Sequence, residues 1–223
     1  MKVVLIDSGG ANIGSVLYAL ERLDIQAQLS GDAATIAGAD RVILPGVGAA
    51  AAAMARLHAL GLVKLIRELQ QPLLGICLGM QLLFDSSEEG DVECLGLIPG
   101  RVRKLLPVEP SLIGCANSSA TTPAEQARLY PRGGVRVPHM GWNRLQIRRE
   151  DPLLTGIDDG AQAYFVHSYA APVTADTLAA CSHGDLFSAV VRRRHCHGAQ
   201  FHPERSGVAG ARLLENFLRE VPA

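Results

Sequence analysis

The chain opens on an unbroken apolar run, Val3-Val4-Leu5-Ile6, bounded by Lys2 and Asp7. A short run that is apolar at every position reads as a strand buried on both faces of a sheet. A Gly-rich turn, Ser8 to Gly14, follows, and Ser15 is placed to cap a helix whose apolar residues Val16, Leu17, Leu20 and Leu23 fall at helical spacing. Further strands are expected at Ile25–Leu29 and Arg41–Leu44, the latter closing on Pro45-Gly46-Val47-Gly48. The Ala-rich stretch after Gly48 predicts one long helix to about Gln70, then a strand over Pro72–Ile76 and a new helix from about Gly79. Strands alternating with helices across short connections predict an α/β fold, a doubly wound, mainly parallel sheet with flanking helices.

The second half changes texture. Short strands are expected at Arg101–Leu105, Asn143–Ile147, Ala163–His167, Ser188–Val191 and Cys196–Phe201, with Arg192–His195 as the turn between the last two. They add antiparallel strands to the parallel half. A closing helix over Gly207 to about Glu220 would bury Leu213, Leu214, Phe217 and Leu218. Between them lies a Pro-, Ser-, Thr- and Gly-rich segment without periodicity. It reads as a loop insertion at about 107–136 in a single domain over 1–223.

Composition narrows the function classes. Hydrophobic residues make up 48% and charged residues 19%, which fits a packed globular chain. The net charge is −1 and the pI about 6.6, so neither nucleic acid nor an anionic membrane is the expected partner. The Ala-rich stretch is interrupted by Arg56, His58 and Lys64, and the first apolar run is too short for a signal-peptide core; a cytoplasmic protein is expected. The five cysteines are odd in number and form no C-x-x-C, which predicts reduced thiols.

One of these thiols stands out by its place. In Gly75-Ile-Cys-Leu-Gly-Met-Gln81, Cys77 falls between two glycines at a strand end. It is either a small buried filler or a nucleophile held out on a tight strand-to-helix elbow. A thiol nucleophile needs an imidazole to take its proton and a carboxylate to orient that imidazole. Of the seven histidines, His202 alone follows a strand end with a carboxylate, Glu204, two residues on. Alone it would read as a capping or core histidine; with the elbow it reads as the catalytic base. Donors for a tetrahedral oxyanion are expected from the Gly46-Val47-Gly48 turn and the amide of Leu78, where the alternative is an ordinary turn. His195 and His197 would share one strand face like metal ligands, but no second cluster completes a set of four, so no metal is expected. The Ser8–Gly14 turn lacks G-x-G-x-x-G, and no cofactor is implied.

The elbow together with Phe201-His-Pro-Glu204 resembles the triad, or class I, glutamine amidotransferases. Pro45-Gly-Val-Gly48, Met80, Pro138-His-Met-Gly-Trp-Asn143 and Tyr164-Phe-Val-His-Ser-Tyr169 are similar, within that superfamily, to the glutaminase subunits of imidazole glycerol phosphate synthase. The resemblance implies that Cys77 attacks glutamine, His202 is general base and acid, and Glu204 orients it. It implies that Gln81 and the backbone near Gly46 and Val166-His167-Ser168 hold L-glutamine, and that Gly46, Val47, Gly48 and Leu78 form the oxyanion site. Asn12, Trp142, Tyr164 and Arg205 match positions facing the partner, a (β/α)₈-barrel cyclase subunit that would complete a heterodimer and receive the ammonia. Two positions depart from the pattern: Ser8 stands where tyrosine is usual, and Arg205 where lysine is usual. Two other classes compete with this reading, a cysteine-dependent hydrolase on a similar sheet and an inactive subunit kept for assembly.

Overall fold

The computed structural model describes residues 1–9, 13–107 and 135–221. Strand β1 (Val3–Ile6) is buried at every position, and its side chains divide by parity. Val3 and Leu5 join one core cluster, and Val4 and Ile6 the other, on the opposite face. That is the signature of a central parallel strand. Helix α1 (Ile13–Glu21) follows, then β2 (Ala27–Ser30). Ser15 falls inside the first turn of α1 and is therefore not its cap. The second strand begins later than expected because the Ile25 amide still bonds back to Leu20, closing the helix.

After a short α2 (Ala33–Ala37) comes β3 (Arg41–Gly46). The single long helix expected next is two, α3 (Ala50–Ala59) and α4 (Leu62–Glu68). Between them Gly61 adopts φ 67, a left-handed conformation that ends one helix and starts the other. Strand β4 (Leu73–Cys77) then runs directly into the five-residue helix α5 (Leu78–Leu82). Strands β5 (Phe84–Ser87), β6 (Val92–Glu93) and β7 (Ile98–Lys104) form a small side sheet. The insertion expected over 107–136 falls, apart from its ends, outside the described residues.

The remaining strands are β8 (His139–Arg144), β9 (Gln146–Ile147), β10 (Gln162–His167), β11 (Tyr169–Ala170), β12 (Thr177–His183), β13 (Asp185–Arg193) and β14 (Cys196–Ala199). Helix α6 (Gly207–Arg219) closes the fold. The main sheet has the order β2-β1-β3-β4-β14-β13-β12-β9. Its first five strands are parallel, and β13, β12 and β9 are antiparallel additions. The α/β architecture expected from the alternation is present. The turn expected over Arg192–His195 is shorter, because Arg192 and Arg193 still pair with β14 and only Arg194 and His195 reverse the chain.

Adjacent parallel strands β3, β4 and β14 end together on one edge of the sheet. Gly46 pairs with Cys77, and Ala199 with Ile76. The loops leaving those three ends carry the Pro45–Gly48 turn, the cysteine elbow and His202. Ligands in such folds bind beyond the carboxyl ends of the strands.

Candidate active site

Cys77 is the last residue of β4 and the residue before α5, with φ 53 and ψ −111. A non-glycine residue held there is strained, and such strain is maintained only where neighbours fix it. Glycines supply the room. A Cβ on Gly79 would fall on the Leu44 carbonyl oxygen, and one on Gly75 would lie 2.6 Å from the Gly79 oxygen. The elbow can therefore form only because β3, β4 and α5 approach backbone to backbone at these positions. Gly46 belongs to the same packing: its Cβ would lie 2.6 Å from the Gly79 amide nitrogen.

His202 follows β14 and begins the one-turn 3-10 helix Pro203–Arg205. That turn brings Glu204 back under the imidazole, with Nδ1 2.9 Å from Glu204 Oε1. The carboxylate side chain is 1% exposed, so the contact is shielded from water. A carboxylate only accepts, so Nδ1 carries the proton and Nε2 is left for Cys77. Burial draws the His202 imidazolium down, but hydrogen bonds and charge from Cys77 and Glu204 outweigh it and push His202 up to about 10. The pair is thus suited to a thiolate facing an imidazolium.

Cys77 and His202 open onto a cleft lined by Val47, Gly48, Leu78, Gln81, Glu89 and the segment Val166-His167-Ser168-Tyr169. Every substrate residue expected from the sequence lines it except Gly46, which lies beneath the elbow. The His167 imidazole is engaged away from the cleft. Its Nδ1 lies 2.8 Å from the Tyr169 carbonyl, and its Nε2 3.0 Å from His139 Nδ1. His139 Nε2 in turn lies 3.2 Å from the Asn143 amide nitrogen. Because the Tyr169 oxygen can only accept, the chain of contacts fixes both rings as neutral tautomers. What Val166–Ser168 offers the cleft is mainly backbone. Ser8, the departure from tyrosine, donates to the Pro45 carbonyl at 2.7 Å and ties the end of β1 to the turn behind the cleft.

Residues 4–221 match the family described as glutamine amidotransferase class-I. The imidazole glycerol phosphate synthase subunit HisH of Xanthomonas axonopodis pv. citri is 59% identical over 216 residues, covering 97% of this chain and 96% of that protein. The HisH subunit of Xylella fastidiosa (strain Temecula1) is 55% identical over 217 residues, with the same coverage of 97% and 96%. The chain belongs to the class-I glutamine amidotransferases, in the HisH family. It is therefore an enzyme, a glutaminase by family. Solved structures agree on the fold of this amidotransferase. A putative GMP synthase subunit protein from Thermoplasma acidophilum superposes with a TM-score of 0.67 at 17% identity, over 98% of this chain and 92% of that one. The glutaminase domain of Trypanosoma brucei CTPS with bound acivicin gives 0.61 at 15% identity, over 100% and 96%.

Three of the four residues expected at a partner face of the amidotransferase cluster beside His202 and Glu204. Trp142, 54% exposed, meets the Tyr164 ring edge-on with centroids 5.8 Å apart. The Arg205 guanidinium carbon lies 5.4 Å from the Tyr164 centroid. The guanidinium in place of lysine makes a cation–π contact with that ring, one that arginine makes more often than lysine. Asn12 lies outside the described residues. His195 lies in the turn before β14 and His197 within that strand, fully buried, with Nδ1 3.0 Å from the His195 carbonyl. No group of three potential ligands gathers among the described residues. Cys94, Cys181 and Cys196 are buried free thiols, pushed up by burial to about 11, 12 and 11. Cys115 is not among the described residues. No helix among those residues is long and apolar enough to cross a membrane.

Two residues at the site, one lining the cleft and one buried behind it, escaped the sequence reading. Glu89 lines the cleft while its Oε2 accepts from the Ala50 amide at 2.8 Å, capping α3 in place of a side chain at Ala49. Its sequence context, Ser-Ser-Glu-Glu-Gly, looks like any exposed turn. Gln200 is fully buried and touches both Cys77 and Gln81. Its position two residues before His202 was the available signal, because alternate residues of an extended chain share a face.

Proposed function

We propose that this amidotransferase hydrolyses L-glutamine to glutamate and ammonia through Cys77, His202 and Glu204, and delivers the ammonia to a (β/α)₈-barrel cyclase subunit. That partner would use it for imidazole glycerol phosphate synthesis in histidine biosynthesis, as the names of its relatives suggest. The two chains would form a cytoplasmic heterodimer in which the residues 1–223 act as one amidotransferase domain.

The reading rests on one observation: a strained elbow cysteine shares a cleft with an imidazole whose far nitrogen is held by a buried carboxylate. From that arrangement the steps follow. The Cys77 thiolate attacks the side-chain carbonyl carbon of glutamine, and the carbonyl oxygen becomes an oxyanion. The amide of Leu78, which starts α5, and amides of the Gly46–Gly48 turn are assigned as its donors. As the C–N bond breaks, imidazolium Nε2 of His202 gives its proton to the departing amine, and ammonia leaves a thioester on Cys77. Neutral Nε2 then takes a proton from water, whose oxygen attacks the thioester, and the thiolate departs from glutamate. Glu204 keeps Nδ1–H in place throughout and stabilises the imidazolium. Glu89, the carboxylate in the cleft, suits the α-ammonium of the substrate. The Trp142–Tyr164–Arg205 face and Asn12 are assigned to the cyclase.

The test is glutamate release and imidazole glycerol phosphate formation with the cyclase present. Cys77→Ala should abolish both with glutamine but leave synthesis from added ammonium largely intact. Retained glutamate release in Cys77→Ala would overturn the assignment.

A further inference from the structure

Cys77 has two polar neighbours besides His202, and they favour opposite forms of the sulfur. The Val166 carbonyl oxygen lies 3.8 Å from Sγ and can only accept, which favours the thiol. Gln200 Nε2 lies 3.9 Å from Sγ and donates, which favours the thiolate. The direction of the Gln200 amide is set by its partners. Gln81 Nε2 donates to the Tyr169 carbonyl at 2.7 Å, so the nitrogen of Gln81 must face that way. Its second N–H meets Gln200 Oε1 at 3.0 Å. With its oxygen so engaged, Gln200 turns its nitrogen to the sulfur. Gln81 is 3% exposed and Gln200 is fully buried, so water does not replace either contact. The two amides arise from the elements that build the triad: Gln81 is one helical turn beyond Cys77 in α5, and Gln200 lies between β14 and His202.

We propose that Gln200, clamped by Gln81, is a positioning residue that points an amide N–H at the Cys77 sulfur and favours its thiolate form. This deepens the reading of Cys77 as the nucleophile and rests on it. When Cys77 gives its proton to His202, the N–H of Gln200 gains a charged acceptor, and such a hydrogen bond is stronger than one to a neutral thiol. The same donor assists twice in turnover, when the thiolate forms and again when it leaves the thioester.

The experiment is alkylation of Cys77 by iodoacetamide in the full-length chain, followed across pH by peptide mass mapping, with no glutamine present. Gln200→Met keeps the length of the side chain and removes its donor. It should shift the pH midpoint of Cys77 alkylation upward by about one unit, roughly a tenfold slower reaction at pH values below the wild-type midpoint. Gln81→Met should shift it in the same direction by less, since it only frees the amide to turn. An unchanged midpoint in Gln200→Met with an intact melting transition overturns the proposal, as does slower alkylation at an unchanged midpoint, which marks packing alone. If Gln200→Met does not fold, the midpoint in Gln81→Met decides. A wild-type chain whose Cys77 is no more reactive than Cys94 or Cys181 would instead refute the nucleophile itself, a result separate from either variant's midpoint.

Discussion

Glu204 meets His202 from only two residues away, so its carboxylate is delivered by a local turn rather than by long-range packing. That makes its contribution separable. Glu204→Gln keeps the shape of the side chain but removes the charge that helps hold His202 protonated. With the orienting charge gone, kcat for glutamate release should fall by about 10²–10⁴, the usual range for general acid–base catalysis. The His202 titration should move down from about 10 as well, because one of its two upward influences is lost. Glutamate release in the assembled enzyme and imidazole NMR titration check both. A full-speed Glu204→Gln variant would show that the carboxylate only braces the loop.

The strand-to-helix elbow depends on where a side chain is forbidden. Gly79→Ala would drive a Cβ into the Leu44 carbonyl, where β3 has no freedom to retreat. It should leave little soluble or active protein. Gly61→Ala meets nothing within 4 Å, although φ there is +67. Its cost is only that of a left-handed alanine, about 1–2 kcal/mol, or a melting temperature lower by about 2–8 °C. Soluble yield and thermal melts of the two variants test the contrast. These elements also show why the sequence was legible in places. The parallel strands β1, β3 and β4 are mainly apolar runs, and each has a glycine at its carboxyl end or within three residues of it, so both pattern and punctuation agree. The residues of the proposed triad stand out in the sequence because Cys77 ends β4, His202 follows β14, and Glu204 comes two residues later. Strand β12 escaped because its buried stretch, Leu178-Ala-Ala-Cys181, is built of small residues that carry weak strand preference. The break between α3 and α4 hung on the backbone of a single glycine. Glu89 is set by a contact 39 residues away in the chain, which no local pattern encodes, and the partners of Gln200 lie over a hundred residues away, leaving only its spacing from His202 as a local sign.

Across the whole molecule, the histidines divide into two sets with opposite effects on stability. Burial holds His139 down to about 2, helped by the nearby charges of His183 and His167, and burial likewise holds His167 and His197 down to about 4. These three rings are neutral when folded but take up protons when unfolded once the pH is below about 6.5. The unfolded state then binds more protons, so stability falls as the pH drops, by roughly 1.4 kcal/mol per pH unit for each ring between its two pKa values. His202 acts the other way. Its folded value is raised to about 10, so its contribution is complete below the unfolded value near 6.5 and is lost as pH rises toward 10. Cys94, Cys181 and Cys196, pushed up by burial, add losses above pH 9 of the same sign. The melting temperature should therefore peak close to pH 6.5 and fall on both sides. Between pH 4.5 and 9 the acid limb is the steeper one. His139, His167 and His197 titrate there, with His183 and His195 lowered by burial in the same direction, against His202 alone until the cysteines enter above pH 9. Proteins hold only about 5–15 kcal/mol in reserve, so slopes of this size take a large share of it at acid pH. Calorimetric melts from pH 4.5 to 9 would trace the curve. His197→Phe, which fills a fully buried site beside Phe217 with a ring that cannot protonate, should flatten the acid limb by one proton's worth. A melting temperature that stays level from pH 7 to 5 would mean that the buried rings accept protons in the folded state, and that the His139–His167 contacts behind the cleft rearrange to allow it.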